Sequence, residues 1–118
     1  MLLWALTEDP ALSREAATAL EDGSNDVYVS AASAWEIEIK RALQKLDAPD
    51  DLLAVVTTTG FESLRITAEH AVEAGRLPLH HADPFDRVLI AQARLERLTI
   101  VTADSELARY DVPTLSAK

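Results

Sequence analysis

The stretch His80-His81-Ala82-Asp83-Pro84-Phe85-Asp86-Arg87 opens the apolar run Val88-Leu89-Ile90-Ala91-Gln92-Ala93, and Thr99-Ile100-Val101-Thr102-Ala103-Asp104 follows soon after. The order is two acids at the start of a helix, then a strand, then a third acid just past that strand. In an open α/β sheet the ligand crevice lies at the carboxyl ends of strands and the amino ends of helices. Carboxylates gathered there repel one another. A divalent cation relieves that repulsion, and oxygen ligands suit Mg²⁺ or Mn²⁺.

Outward from this stretch the chain alternates helix and strand. Leu2–Leu6 reads as a helix already under way. Ser13–Glu21 is helical and stops at Asp22-Gly23-Ser24-Asn25. Val27–Ser30 is a short strand, and Ala31–Leu46 a helix that ends before Pro49. Asp51–Thr59 is a helix closed by Gly60. Glu62–Ile66 reads as a strand and Thr67–Gly75 as a helix. Asp83–Arg97 carries the strongest helical pattern. Thr99–Thr102 is a strand, Ser105–Arg109 a helical turn, and Val112–Leu115 an edge strand because of Pro113. This alternation predicts an α/β fold, a mostly parallel central sheet flanked by helices.

At 118 residues the chain is long enough for one domain with a single core. Apolar residues make up 48% and charged residues 26%, a composition that folds. No cysteine is present, which excludes disulfides and thiolate chemistry and agrees with a cytoplasmic setting. No apolar run approaches the roughly 20 residues that span a bilayer, so no membrane association is expected. The net charge of −9 opposes broad electrostatic binding to nucleic acid and suits a metal ion and a basic partner.

Each acid has a structural reading beside the functional one. Steps of three and four from Asp86 reach Leu89, Ile90 and Ala93, which puts Asp86 at the top of the buried stripe. Asp83 can be the N-cap, with Pro84 in the first helical position, and capping alone explains it. Glu36 shares a helix face with Ala32, Ile39 and Leu43, whereas Glu38 points toward Arg41 and Lys45. A carboxylate on an apolar face needs a charged partner, either an arginine from another element or a cation shared with Asp86. Asp104 can cap Ser105–Arg109, and only its place beyond a buried strand brings it toward the others. Thr102 can orient a carboxylate or water. Arg87 can pair with a carboxylate or touch a phosphate, and pairing within the fold is the simpler role.

Other residues point elsewhere. His80 and His81 are adjacent loop residues without a zinc spacing. His70 reads as a surface or core-edge residue, and Trp4 and Trp35 as core or interface rather than platforms for base stacking. Three glycines leave little room for a phosphate loop. Ser30 and Ser33 have no histidine at a spacing that supports a nucleophile triad.

Three segments resemble the PIN-domain family, and within it the toxins of VapBC toxin–antitoxin pairs. They are Val29-Ser30-Ala31-Ala32-Ser33-Ala34-Trp35-Glu36-Ile37, then His81 to Ala93, then Ile100-Val101-Thr102-Ala103-Asp104. The resemblance implies a three-layer PIN-like fold over residues 1–118. It also implies a Mg²⁺- or Mn²⁺-dependent endoribonuclease with Glu36, Asp86 and Asp104 as catalytic, metal-holding acids. Asp83, Thr102 and Arg87 would be supporting residues. The implied partners are a cognate antitoxin offering a basic and apolar segment, an RNA substrate, and a second copy in a homodimer. The family pattern opens with an apolar strand ending in an aspartate, just before the helix read at Leu2. The expectation is therefore a domain lacking its first strand. It leaves a second reading open, a catalytically impaired interaction protein that still binds an antitoxin.

Overall fold

Alternation along the strands decides where each layer packs. The computed structural model describes residues 1–4, 14–43, 52–78, 83–102 and 104–116. Five strands form one parallel sheet: β1 (Leu2–Trp4), β2 (Val27–Ser30), β3 (Glu62–Leu64), β4 (Thr99–Thr102) and β5 (Thr114–Ser116), in the order β3-β2-β1-β4-β5. Five helices accompany them: α1 (Arg14–Glu21), α2 (Ala31–Ala42), α3 (Leu52–Thr59), α4 (Ala68–Arg76) and α5 (Pro84–Glu96). A 3-10 turn at Ser105–Arg109 precedes β5.

Leu3 and Ile100 point to one face and pack with Leu89, Ile90 and Ala93 of α5 and with Leu77, Leu98, Leu107 and Tyr110. Leu2, Val27 and Val101 point to the other and pack on Ala16 and Leu20 of α1, with Trp4 and Phe61 at the margin. Side chains on a strand alternate between faces, so each strand serves both cores. That is the α/β architecture expected from the sequence, and the sheet is parallel throughout. Among the described residues, no helix is long and apolar enough to cross a membrane.

The N-terminus departs from the sequence reading. Leu2–Trp4 is not the start of a helix but the central strand of the sheet. Leu2 pairs with both Val27 and Thr99, and Trp4 with both Val29 and Val101. Without it, β2 and β4 would each present an unpaired row of backbone groups inside the fold, which is costly. A short apolar run carries no periodicity that separates strand from helix, and the pairing partners decide it. Leu2–Trp4 thus fills the central position of the sheet, and it ends on Trp4 rather than an aspartate. Residues 5 and 6 of the expected helix lie outside the described residues.

Elsewhere the boundaries differ little. α1 stops at Glu21, and the Asp22 carboxylate then accepts from the Ser24 N–H and hydroxyl to form the turn. Gly60 closes α3 with φ +91°, in the region that favours glycine. α5 ends in a left-handed Arg97, with the Leu98 N–H bonded back to the Ala93 carbonyl. β5 begins at Thr114, later than expected, and does lie at the sheet edge.

Candidate functional site

The strand order reverses direction between β1 and β4, so the crevice of a doubly wound sheet is expected beyond their carboxyl ends. Ser30 ends β2 and caps α2: its buried hydroxyl accepts from the Ala32 N–H at 3.0 Å. This cap fixes the start of α2, which packs against α5, and it was not singled out in the sequence. Its only signal there was a serine at the strand–helix junction.

Glu36 lies two turns into α2 and is half-buried. Burial pushes its carboxyl above the usual carboxylate range. Lys40 pulls in the opposite direction, and Asp83 and Asp86 push it further up. The Lys40 ammonium is 3.5 Å from Glu36 Oε2, so the expected charged partner is a lysine one turn along and not an arginine from another element. The face shared by Glu36, Ile39 and Leu43 is buried only at Ala32. Leu43 is largely exposed. Glu38 pairs with Arg41 at 3.7 Å on the wet side, as its spacing suggested.

On α5, Asp83 is the N-cap. Its Oδ1 accepts from the Phe85 N–H at 2.9 Å and from the Asp86 N–H at 3.3 Å, and Pro84 follows in the first turn. Asp83 and Asp86 both push the Glu36 carboxyl up. Arg87 is buried and donates to the carbonyls of Leu77, at 2.9 Å, and Pro78, at 3.1 Å. Tyr110 donates its hydroxyl to the same Pro78 carbonyl at 2.9 Å. These bonds give Arg87 a role within the fold, fixing the chain between α4 and α5.

Asp104 caps the 3-10 turn through the Glu106 N–H at 2.9 Å, while its own N–H donates to the buried Thr102 hydroxyl at 3.1 Å. Thr102 therefore orients Asp104. Among the described residues, no three His, Cys, Asp or Glu side chains lie close enough together to hold a metal ion. The Glu36 carboxyl responds to Asp83 and Asp86. His80 and His81 lie outside the described residues.

Two residues read one way in the sequence stand differently in the fold. His70 is 1% exposed, not at the surface or the core edge. Its Nδ1 accepts from the Thr67 N–H, and the Thr67 hydroxyl accepts from the His70 N–H, forming a reciprocal cap on α4. Its Nε2 meets Glu96 Oε1 at 3.0 Å. The signal was Thr67 followed three residues later by a side chain able to accept. Trp35 is 62% exposed and touches the Phe85 ring edge-on. It is not in the core.

A family model for the PIN domain matches residues 1–113. The chain belongs to the PIN-domain family. PIN domains are generally nucleases and typically use divalent metals. Among solved structures, the crystal structure of FitAcB from Neisseria gonorrhoeae resembles this PIN domain with a TM-score of 0.69 and 19% identity. The match covers 99% of this chain and 98% of that chain. At that identity the likeness concerns the fold. No curated protein matches.

Proposed function

We propose that this PIN domain is a VapC-type toxin, a Mg²⁺- or Mn²⁺-dependent endoribonuclease that cuts RNA phosphodiesters and is neutralised by a cognate antitoxin in the cytoplasm. The observation that carries the reading is the contact of Trp35 with Phe85, which brings the helix turns bearing Glu36 and Asp86 together in a chain that matches the PIN domain over residues 1–113. Crowded acids at a helix N-terminus in this family fit a cation better than they fit one another. The donors are carboxylate oxygens, which suit a hard ion. Mg²⁺ is commonly held by one or two carboxylates, with water or substrate phosphate completing the shell. A cluster of three side chains is therefore not required.

Glu36 and Asp86 hold the ion on this reading, with Asp104 acting through water. Asp83 fixes the backbone beneath Asp86, and Thr102 fixes that of Asp104. A bound divalent ion supplies an activated water and offsets charge on the transferring phosphoryl group. Arg87, committed to the Leu77 and Pro78 carbonyls, holds the loop that leads into α5. A basic antitoxin side chain placed among Glu36, Asp86 and Asp104 would satisfy the same carboxylates and compete with the ion. A second copy of the chain completes the expected assembly.

The test is cleavage of a labelled RNA at millimolar Mg²⁺, with and without chelator. Wild type is expected to cut, and Asp86→Asn to lose at least about a hundredfold. Metal-independent cleavage, or full activity in Asp86→Asn, contradicts the assignment. One observation favours a second reading: β1 ends on Trp4, where the family pattern places an aspartate. An impaired interaction protein would bind its antitoxin and cut nothing at any metal concentration.

A further inference from the structure

Trp35 immediately precedes Glu36 on α2, and Phe85 immediately precedes Asp86 on α5. The two rings meet with centroids 5.2 Å apart and planes at 78°. An edge contact of this kind uses at most one face of the indole, and the side chain is 62% exposed. A large aromatic ring is thus held by its neighbour, open to solvent, beside the carboxylates. The helix-capping bonds at Ser30 and Asp83 set the backbone on both sides of this ring pair.

The overall charge sharpens the point. At −9, the protein gains little from long-range attraction to phosphates. Contacts that do not depend on charge then carry more of the affinity for a polynucleotide away from the metal. Stacking of a base on an aromatic ring is such a contact, and it tolerates any base because every base has a π-face. Bases are free to stack in this way only where they are unpaired. We infer that Trp35 is a stacking platform for an unpaired base of single-stranded RNA, next to the phosphodiester addressed by Glu36 and Asp86. This inference rests on the ribonuclease reading and adds to it a positioning residue, Trp35, outside the acids. Trp35 positions the nucleotide and takes no part in bond cleavage.

The test uses the full chain and a mixed-sequence 12-nucleotide RNA, offered as a single strand and as a duplex. In a Trp4→Phe background Trp35 is the sole indole, and its emission is expected to quench saturably with the single strand and weakly with the duplex. In the otherwise native chain, Trp35→Ala is expected to raise KM roughly five- to hundredfold with kcat little changed. Trp35→Phe is expected to recover most of that loss, and far-UV circular dichroism to stay the same in both. If wild type cuts RNA while Trp35 is not quenched and Trp35→Ala keeps its KM, stacking is wrong and the ribonuclease reading stands. If wild type neither binds nor cuts RNA, both fall. If Trp35→Ala converts a dimer to monomers in sedimentation and leaves KM unchanged, the indole belongs to a contact between copies and the inference is overturned.

Discussion

Where α5 covers the sheet, Leu3, Ile90 and Ile100 are sealed from solvent, and α4 is tied to α5 by His70–Glu96 at 3.0 Å and Glu73–Arg94 at 3.4 Å. Where α1 and α3 cover the opposite face, a cleft of about 580 Å³ opens among Trp4, Leu20, Val56 and Phe61. Leu53 and Val55 on α3 are 60% and 47% exposed. One face is filled to its rim with matched side chains. The other is lined with apolar residues that meet fewer partners. Asp86 sits on the helix of the sealed face, and Glu36 sits on α2, which packs against α5. The geometry of the acids is therefore inherited from the sealed half, as a positioned site requires.

The widest gap between the halves is expected in core truncations. Ile90→Ala removes a fully buried side chain and is expected to cost about 3–4 kcal/mol. Leu53→Ala on the open side is expected to change stability by less than about 0.5 kcal/mol. Urea denaturation of both variants checks this, and similar costs would erase the distinction. The polar ties come next. His70→Ala breaks the reciprocal cap on α4, removes the tie to Glu96 and empties a buried position, for an expected loss of about 2 kcal/mol. A thermal melt within a degree of wild type would show that packing alone joins α4 to α5.

The smallest effect concerns Glu36. Its pKa in the fold lies above the ordinary value of 4.5, with burial the leading cause. The folded state thus holds that proton more tightly than the unfolded chain does. The resulting stability is fully present below pH 4.5 and is lost as pH rises through the folded value. In chelator, as pH rises above 4.5, the charged form of Glu36 is the one the fold disfavours. Glu36→Gln is expected to raise Tm by about 2 °C there, with the advantage vanishing below pH 4.5. An advantage that persists at pH 4 would point to packing rather than charge.

Most of the architecture was legible because the helices and strands of an α/β fold carry different periods. Asp83-Pro84 announced the start of α5, and both Asp83 and Asp104 are the caps their positions suggested. The N-terminus was not legible. Leu2-Leu3-Trp4 is too short to show a period, and its identity as β1 depends on pairing with Val27 and Thr99, far away in the chain. Glu36 was read as inward from a helix face that proves buried only at Ala32; Glu36 itself is half-buried, and its Lys40 partner was not weighed. His70 escaped because a histidine stands where a capping box usually has Glu or Gln. Trp35 was read as core or interface, and its exposure removes only the first, because hydrophobicity alone does not say which helix packs beside it.

The central claim is that Glu36 and Asp86 share one divalent cation. Its most direct test is Mn²⁺ binding by the full chain, read from the loss of the free-ion paramagnetic resonance signal. Saturable binding is expected in wild type, weakened at least about tenfold by Asp86→Asn and by Glu36→Gln, with Mg²⁺ competing for the same site. Binding that is absent in wild type, or unchanged in both variants, would contradict it.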